Sequence, residues 1–225
     1  ASLLVVDEIG YLPVTPGGSY IQHTLLVQLK NQLGLPDLSP IHRIDRDTAG
    51  LVLLSTQRSD RGAYQALFRE QRVHKTYQAI APYRPELGFP REHHSRMQES
   101  GHFIRMHEVA GPPNSHTRLT LLEHNTHWAR YQLEPISGKR HQLRVHMAAL
   151  GIGILGDGLY PEVNDAPEGD FSRPLRLLAQ AIAFTDPLTQ QQRHFHSQYT
   201  LGALPPAPEP APSGQQTWQG LPANA

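Results

Sequence analysis

The chain has 225 residues, and its 20 Lys and Arg side chains balance 20 Asp and Glu side chains. A nucleic-acid binder often carries a basic excess, so this balance counts mildly against one unless basic residues cluster locally. The absence of cysteine excludes disulfides, thiolate nucleophiles and cysteine-ligated metal sites. No apolar run reaches the roughly 20 residues of a membrane span and no signal peptide opens the chain, so we expect a cytoplasmic protein.

The N-terminal part of the chain shows strand and helix patterns in turn. Residues 2–18 begin with an apolar run and end in turn residues, which predicts a strand or hairpin. Ser19 opens a capping-box pattern, and the apolar residues behind it keep a helical period until Gly34, which supplies a stop. The short apolar run over 49–55 suits a buried strand, and a second helix is predicted over 60–71.

The rest of the chain favours strands. Residues 73–80 predict a strand that places Lys75 and Tyr77 on one side. A segment over 82–116 is rich in Pro, His and Gly and is expected to hold one short strand, around 102–109. The remaining patterns predict a strand pair over 117–124 and 128–135, a helix over 141–150 with Gly151 as its C-cap, and a last buried strand over 175–187.

These elements mix without a strict βαβ alternation, so the predicted fold class is α+β. We expect one domain over residues 1–200. Residues 201–225 are rich in Pro and Ala and cannot bury enough apolar surface to fold, so they are predicted to form a flexible tail.

Two segments carry charge of nearly one sign. Residues 137–146 contain three basic side chains and no acid, and residues 69–77 place three basic side chains around one glutamate and end on Tyr77. Basic side chains interleaved with an aromatic suit a site that holds a phosphate backbone and stacks a base. Either segment alone is more often a solvated face.

A carboxylate, Asp45, lies between Arg43 and Arg46, directly before the predicted buried strand. One interpretation is structural, since Asp45 could bridge the two arginines and order a loop. Another is a metal-dependent hydrolase that uses His42, Asp45 and Asp47, and its activity would be lost with a chelator.

The segment over 42–51, HRIDRDTAGL, closely resembles the H-R-L-D-x-x-T-S/A-G-L motif of the RluA family of RNA pseudouridine synthases. Three further segments match that family in order, and four ordered motifs are far more specific than one. They are HKTY at 74–77, which resembles a K-x-Y strand, GKRHQLRVH at 138–146, which resembles a G-R-x-H-Q-I/L-R-x-H helix, and GIGILGDGLY at 151–160. The chain departs from the family at Glu8 and Ile9, where Lys-Pro is usual, and at Leu178, where the family has histidine.

The resemblance implies an enzyme that isomerises uridine to pseudouridine in structured rRNA or tRNA, on a mixed, largely antiparallel sheet with flanking helices. It makes Asp45 the catalytic carboxylate, with Tyr77 stacked on the uracil and Arg144 paired with Asp45. The target uridine would be flipped out of the RNA, which leaves a gap in the base stack. Arg43 and Arg46 are then expected to contact phosphate or to fill that gap. Lys75 is expected to brace Tyr77 or to contact phosphate. The resemblance implies no metal and no organic cofactor, and we expect a monomer.

A catalytically silent RNA-binding module on the same fold is the main alternative. An ionised, nearly buried Asp45 speaks against it, because a binder has no use for such a group. We interpret the histidines as structural or RNA-facing rather than as metal ligands, and we place His93 and His94 in a loop. Which RNA and which uridine are modified stays open.

Overall fold

Strand-forming segments from both halves of the chain build one mixed sheet of ten strands. The computed structural model describes residues 2–10, 14, 24–101, 105–163 and 172–207. Within these ranges three α-helices accompany the sheet. The strands are β1 (Leu3–Glu8), β2 (Ser39–Pro40), β3 (Ala49–Ser55), β4 (His74–Pro82), β5 (Arg91–Glu99), β6 (Met106–Val109), β7 (Ser115–His124), β8 (Trp128–Pro135), β9 (Leu177–Thr185) and β10 (Gln192–His196), and the helices are α1 (Leu25–Leu33), α2 (Arg61–Arg69) and α3 (Gln142–Ala149).

The main path of the sheet runs β1-β3-β9-β4-β8-β7-β5-β6, with β10 paired to β9 and β2 paired to β3. Among the described strands, β3 and β9 form the one parallel pair, and every other pair is antiparallel. The predicted α+β class with a mixed, largely antiparallel sheet is therefore confirmed. No helix in the described ranges is long and apolar enough to cross a membrane.

The apolar faces of the helices and strands form the core. Leu143 and Met147 of α3 pack with Leu119, Tyr131 and Leu133 of the β7–β8 pair. This cluster holds α3 against the sheet, which matters because α3 also carries functional side chains. In a second cluster α2 packs against β3 and β9, and the buried members of that contact are Tyr64, Leu67, Leu51, Leu53, Ile182 and Phe184.

Local signals set the ends of the helices. Thr24 is the N-cap of α1, and its Oγ1 accepts a hydrogen bond from the Val27 N–H at 3.2 Å. The predicted cap at Ser19 lies outside the described residues. Gly34 ends α1 in the left-handed conformation with φ 64°, as the sequence predicted.

The segment over 82–116 differs from the prediction of one short strand. It contains β5, β6 and the start of β7, and His93 and His94 lie on β5 rather than in a loop. The inward positions of β5 include polar His93 and Ser95, so its sequence lacks the alternation of apolar and polar residues that signals a strand. The predicted strand over 175–187 is present as β9, but β10 follows it.

Gly50 allows β3 to pair closely with β9. It has φ 107°, and a Cβ at this position would lie 2.3 Å from the Ala179 carbonyl oxygen. Gly50 pairs with Ala179 at the parallel contact between β3 and β9. A side chain here would collide with backbone, so this close approach requires glycine.

The segment after residue 200 begins with residues that pack on the sheet. Leu201 is buried against Ile80 and Leu178, and Nδ2 of Asn125 donates to the Pro205 carbonyl at 2.9 Å.

We expect deletion of residues 208–225, which lie outside the described ranges, to leave the melting temperature unchanged. Deletion from Leu201 should destabilise the fold by about 1.5–3 kcal/mol, because one buried leucine is lost. Melting curves of the two truncations test this, and a large loss from the shorter deletion would contradict it.

Candidate active site

The loop between β2 and β3 carries Asp45, and His42 anchors this loop to the sheet. Nε2 of His42 accepts a hydrogen bond from the Leu53 N–H at 3.0 Å, so Nδ1 carries the proton and donates to the Arg43 carbonyl at 3.3 Å. The ring also stacks on Phe68 with centroids 4.7 Å apart. Burial lowers the pKa of His42 to about 4, so the ring is a neutral support for the loop.

The Asp45 carboxylate is held near two nitrogen atoms of α3 and its N-cap. Its side chain is 17% exposed, with Nη1 of Arg144 at 4.0 Å and Nε2 of His141 at 3.9 Å. The Arg144 guanidinium therefore lies beside Asp45 at salt-bridge distance. At these separations neither group makes a direct hydrogen bond to Asp45, so the carboxylate keeps lone pairs for a substrate.

Arg144 is itself fixed by a second carboxylate that sequence reasoning missed. Its Nε and Nη2 donate to Oδ2 and Oδ1 of Asp157 at 2.8 and 2.6 Å. Both side chains are almost completely buried, at 2% and 1% exposure. This bidentate pair holds the guanidinium in one orientation beneath Asp45. Asp157 is part of the GIGILGDGLY segment, which was recognised as a motif but given no role.

His141 also belongs to this support. It is the N-cap of α3 and adopts φ 54°, a left-handed conformation that is uncommon outside glycine. The Tyr160 hydroxyl accepts from the Met106 N–H at 2.7 Å and is hydrogen-bonded to Nδ1 of His141 at 2.9 Å. This bond turns Nε2 of His141 toward Asp45. Burial lowers the pKa of His141, which keeps the ring neutral at pH 7.

Strand β4 brings Lys75 and Tyr77 to the same cavity as Asp45. The register between β4 and β9 shifts between Thr76 and Tyr77, so a bulge turns this part of the strand. Nζ of Lys75 donates to the Ser137 carbonyl at 3.3 Å. Burial, and to a smaller extent the Asp45 charge, raises the pKa of Tyr77, so its phenol stays protonated.

The cavity has a volume of about 460 Å³, within the usual range for small-molecule sites. Its described lining contains five basic side chains and one carboxylate, that of Asp45. A cavity of this charge attracts an anionic ligand and retains one negative group for chemistry. The basic side chains are Arg43, Arg69, Lys75, Lys139 and Arg140.

The predicted site residues therefore separate into two groups. Asp45, Tyr77, Arg43 and Lys75 line the cavity, whereas Arg144 lies behind it, against Asp45. Arg46 is not among the lining residues, and its Nε donates to Oδ1 of Asp47 at 2.9 Å.

The metal-hydrolase alternative is not favoured by this geometry. The two ring nitrogens of His42 are used by the Leu53 N–H and the Arg43 carbonyl. His42, Asp45 and Asp47 do not form one of the metal-compatible groups found among the described residues. Two other groups of histidine and glutamate do meet that description, so the interpretation of all histidines as non-ligands has to be reconsidered.

Lys75 makes the stability of the fold depend on pH. Burial lowers its pKa from an ordinary 10.5 to about 8. Below pH 8 both folded and unfolded chains hold the proton, and the folded chain bears the full cost of burying the charge. Between pH 8 and 10.5 the unfolded chain binds more protons, so the Lys75 contribution to the free energy of unfolding rises with pH.

We therefore expect Lys75→Met to be more stable than the wild type at pH 7, and this advantage to shrink by pH 10. Urea unfolding of both proteins at each pH measures the difference. Arg69→Met, which removes an exposed charge from the same cavity, should show no such change with pH. An advantage of Lys75→Met that stays constant with pH would show that Lys75 does not titrate near 8.

Comparisons with known proteins identify one family. The family model described as RNA pseudouridylate synthase matches residues 3–149. The dual-specificity RNA pseudouridine synthase RluA of Pasteurella multocida is 30% identical over 194 residues, which covers 83% of this chain and 84% of that protein. An uncharacterized RNA pseudouridine synthase of Synechocystis sp. is 32% identical over 164 residues, covering 70% of this chain, and this chain covers 55% of its length.

The fold has a solved counterpart. Human RNA pseudouridylate synthase domain containing 1 superposes with a TM-score of 0.70 at 24% identity, covering 87% of this chain and 79% of that one. The chain spans 55% and 57% of the length of two curated relatives that it matches. The family is therefore shown, and the activity of the whole protein is a proposal. The resemblance to RluA that the sequence motifs carry is confirmed, and the chain belongs to the RNA pseudouridylate synthase family.

Proposed function

We propose that this protein is an isomerase that converts uridine to pseudouridine in structured RNA, ribosomal or transfer, with Asp45 as the catalytic carboxylate. The observation that carries the proposal is the position of Asp45. It is the sole carboxylate in the described lining of a basic cavity, and a buried guanidinium lies 4.0 Å behind it. A silent RNA-binding module would gain nothing from a negative charge there.

The reaction breaks the N1–C1′ bond of uridine, turns the uracil and joins C5 to C1′. N1 gains a proton and C5 loses one, so the overall change is an isomerisation and needs no oxidant or reductant. Asp45 can act as a nucleophile or as a base at the sugar, and its free lone pairs suit either role. Arg144, fixed by Asp157, places a positive charge 4.0 Å from Asp45.

The target uridine must leave the base stack of folded RNA to reach the cavity. The basic side chains at the cavity, including Arg43 and Arg69, supply contacts for phosphates or for the position that the base leaves. Arg46, which interacts with Asp47 outside the described lining, is better placed for the RNA backbone than for the uracil. A monomeric state and a cytoplasmic location stay predictions.

The direct test is to incubate the purified protein with rRNA and tRNA from cells that lack it and to map pseudouridine before and after. We expect new pseudouridine at defined positions, at a rate that EDTA does not change. Binding of RNA without conversion would favour the silent module, and hydrolysis that EDTA abolishes, with no new pseudouridine, would favour the hydrolase.

Tyr77 gives a finer test of how the uracil is held. Tyr77→Phe keeps the aromatic face and should retain most of the turnover, whereas Tyr77→Leu loses stacking worth roughly 1–3 kcal/mol and should react far more slowly. Initial rates of pseudouridine formation with saturating RNA measure both variants. Equal rates for the leucine variant and the wild type would mean that Tyr77 only packs against the core.

A further inference from the structure

A second group of chemistry-bearing side chains lies where β5 and β6 face α3, and none of its members lines the Asp45 cavity. His93, Glu108 and His146 each offer one ligand atom, and these atoms all lie within 4.8 Å of one another. We propose that this group, the His93 cluster, binds a divalent transition-metal ion such as Zn²⁺.

The donor set matches the chemistry of that ion. Two imidazole nitrogens and one carboxylate oxygen, with a fourth position left for water, form a common arrangement around Zn²⁺. Bonds of about 2.0–2.2 Å place tetrahedral ligand atoms roughly 3.3–3.5 Å apart. Oε1 of Glu108 lies 2.8 Å from Nε2 of His93 and 3.9 Å from Nε2 of His146, so the two separations bracket this value. Small side-chain rotations would equalise them.

The surroundings of His146 supply the outer support that a metal-binding histidine needs. Its Nδ1 lies 2.9 Å from Oγ1 of Thr117, which also accepts from Nε2 of Gln142 at 3.0 Å. When Nδ1 carries the proton and donates it to Thr117, Nε2 is the atom that can bind an ion, as in many metal sites. The hydroxyls of Ser95 and Ser115 lie within hydrogen-bond distance of Nε2, at 3.1 and 3.0 Å, so a bound ion would replace these contacts.

The cluster combines a rigid ligand with two accessible ones. His146 is fully buried, whereas the side chains of His93 and Glu108 are 17% and 26% exposed. An ion can therefore enter from the Glu108 side without opening the core. Once bound, it would tie the β5–β6 hairpin to α3, the helix that holds Arg144. The expected role is structural.

A second metal-compatible group, Glu92, His94 and His116, lies on the opposite face of β5 and β7 and is less suitable. Nε of Arg118 donates to Oε1 of Glu92 at 2.9 Å, so a guanidinium already occupies that carboxylate and would repel a cation. The ion pairs of Glu108 within the described part of the chain involve histidines. This difference favours the His93 cluster.

The test uses the full chain without a histidine tag, stripped with EDTA and then dialysed. Calorimetric titration with Zn²⁺ should show one ion bound per chain, and thermal melting should shift upward when Zn²⁺ is present. His93→Gln and Glu108→Gln should each weaken binding by more than the roughly tenfold to hundredfold that loss of an outer-shell partner causes, and should lose the shift. His94→Gln, the adjacent histidine on the other face, should bind like the wild type.

Co²⁺ provides a second readout, because its visible absorption reports four-coordinate binding in the wild type and should disappear in Glu108→Gln. The proposal is overturned if the wild type binds no stoichiometric Zn²⁺, or if His94→Gln loses binding while His93→Gln keeps it. Melting without metal checks that each variant is folded. None of these readouts depends on pseudouridine formation, so the result is independent of the proposed isomerase activity.

Discussion

Asp45→Asn should fold, bind its RNA and form no detectable pseudouridine. Asparagine has nearly the same size and still accepts a hydrogen bond, but it is uncharged and is a poor nucleophile and a poor base. The loss should therefore appear in turnover and not in RNA affinity. We even expect a slight gain in stability, because active sites hold charges that do not serve folding. Conversion of uridine to pseudouridine, measured with a melting curve on the same preparation, provides the test.

Asp47→Asn is the matched control, because it removes the neighbouring carboxylate of the same loop. Asp47 is bonded to Arg46 and also lies 3.9 Å from Nη1 of Arg144, but it does not line the cavity and cannot reach the uridine, so this variant should keep most of the wild-type turnover. A folded Asp45→Asn protein that still isomerises uridine would refute the catalytic role. Equal losses in the two variants would instead point to a general effect on the loop.

Arg144→Met should cause the largest loss of stability among single changes at the site. Methionine replaces much of the apolar stem, but Asp157 is left as a charge with 1% side-chain exposure and without its guanidinium. Removing one partner of a buried pair costs about 3–5 kcal/mol of unfolding free energy. Turnover of the folded fraction should fall as well, because Asp45 loses the cation 4.0 Å away.

The double variant Arg144→Met with Asp157→Asn separates the two effects. The introduced asparagine would remain an acceptor for the N–H groups of Leu159 and Tyr160 but carry no charge, so much of the stability should return while turnover stays low. Arg118→Met, which breaks an ion pair of half-exposed side chains, should change stability by about 0–1 kcal/mol. Chemical unfolding measures all three proteins. Full turnover in the double variant would show that Arg144 supports only the fold.

The sequence predicted those parts of the fold that follow simple periodicity. The apolar run of β3, the strand pair β7–β8 and the helix α3 all lie where their patterns placed them. Strand β5 was missed because two of its inward side chains, His93 and Ser95, are polar and form hydrogen bonds with other elements. A pattern of apolar residues cannot reveal partners that lie far away in the sequence.

The candidate site was also predicted only in part from the sequence. Asp45, Lys75 and Tyr77 were found because short motifs carry them, and the structure places them at one cavity. The pairing of Arg144 with Asp157 was not predicted, because an arginine on a helix is ordinarily expected to face solvent. Only the packing of α3 against the sheet shows that this side chain is buried and needs a second carboxylate.

The glycine contact at Gly50 has a consequence for the order in which the protein can become active. The loop that holds Asp45 leads directly into β3, and β3 joins the main sheet through its parallel contact with β9, near the end of the described chain. A contact between segments so distant in sequence forms late in folding, because bringing them together costs the conformational entropy of the long chain between them. During synthesis the early part of the chain would emerge with Asp45 present but without the sheet that positions it. Nascent chains that end before β9 should therefore be unable to modify RNA, and activity should begin only when β9 has emerged from the ribosome.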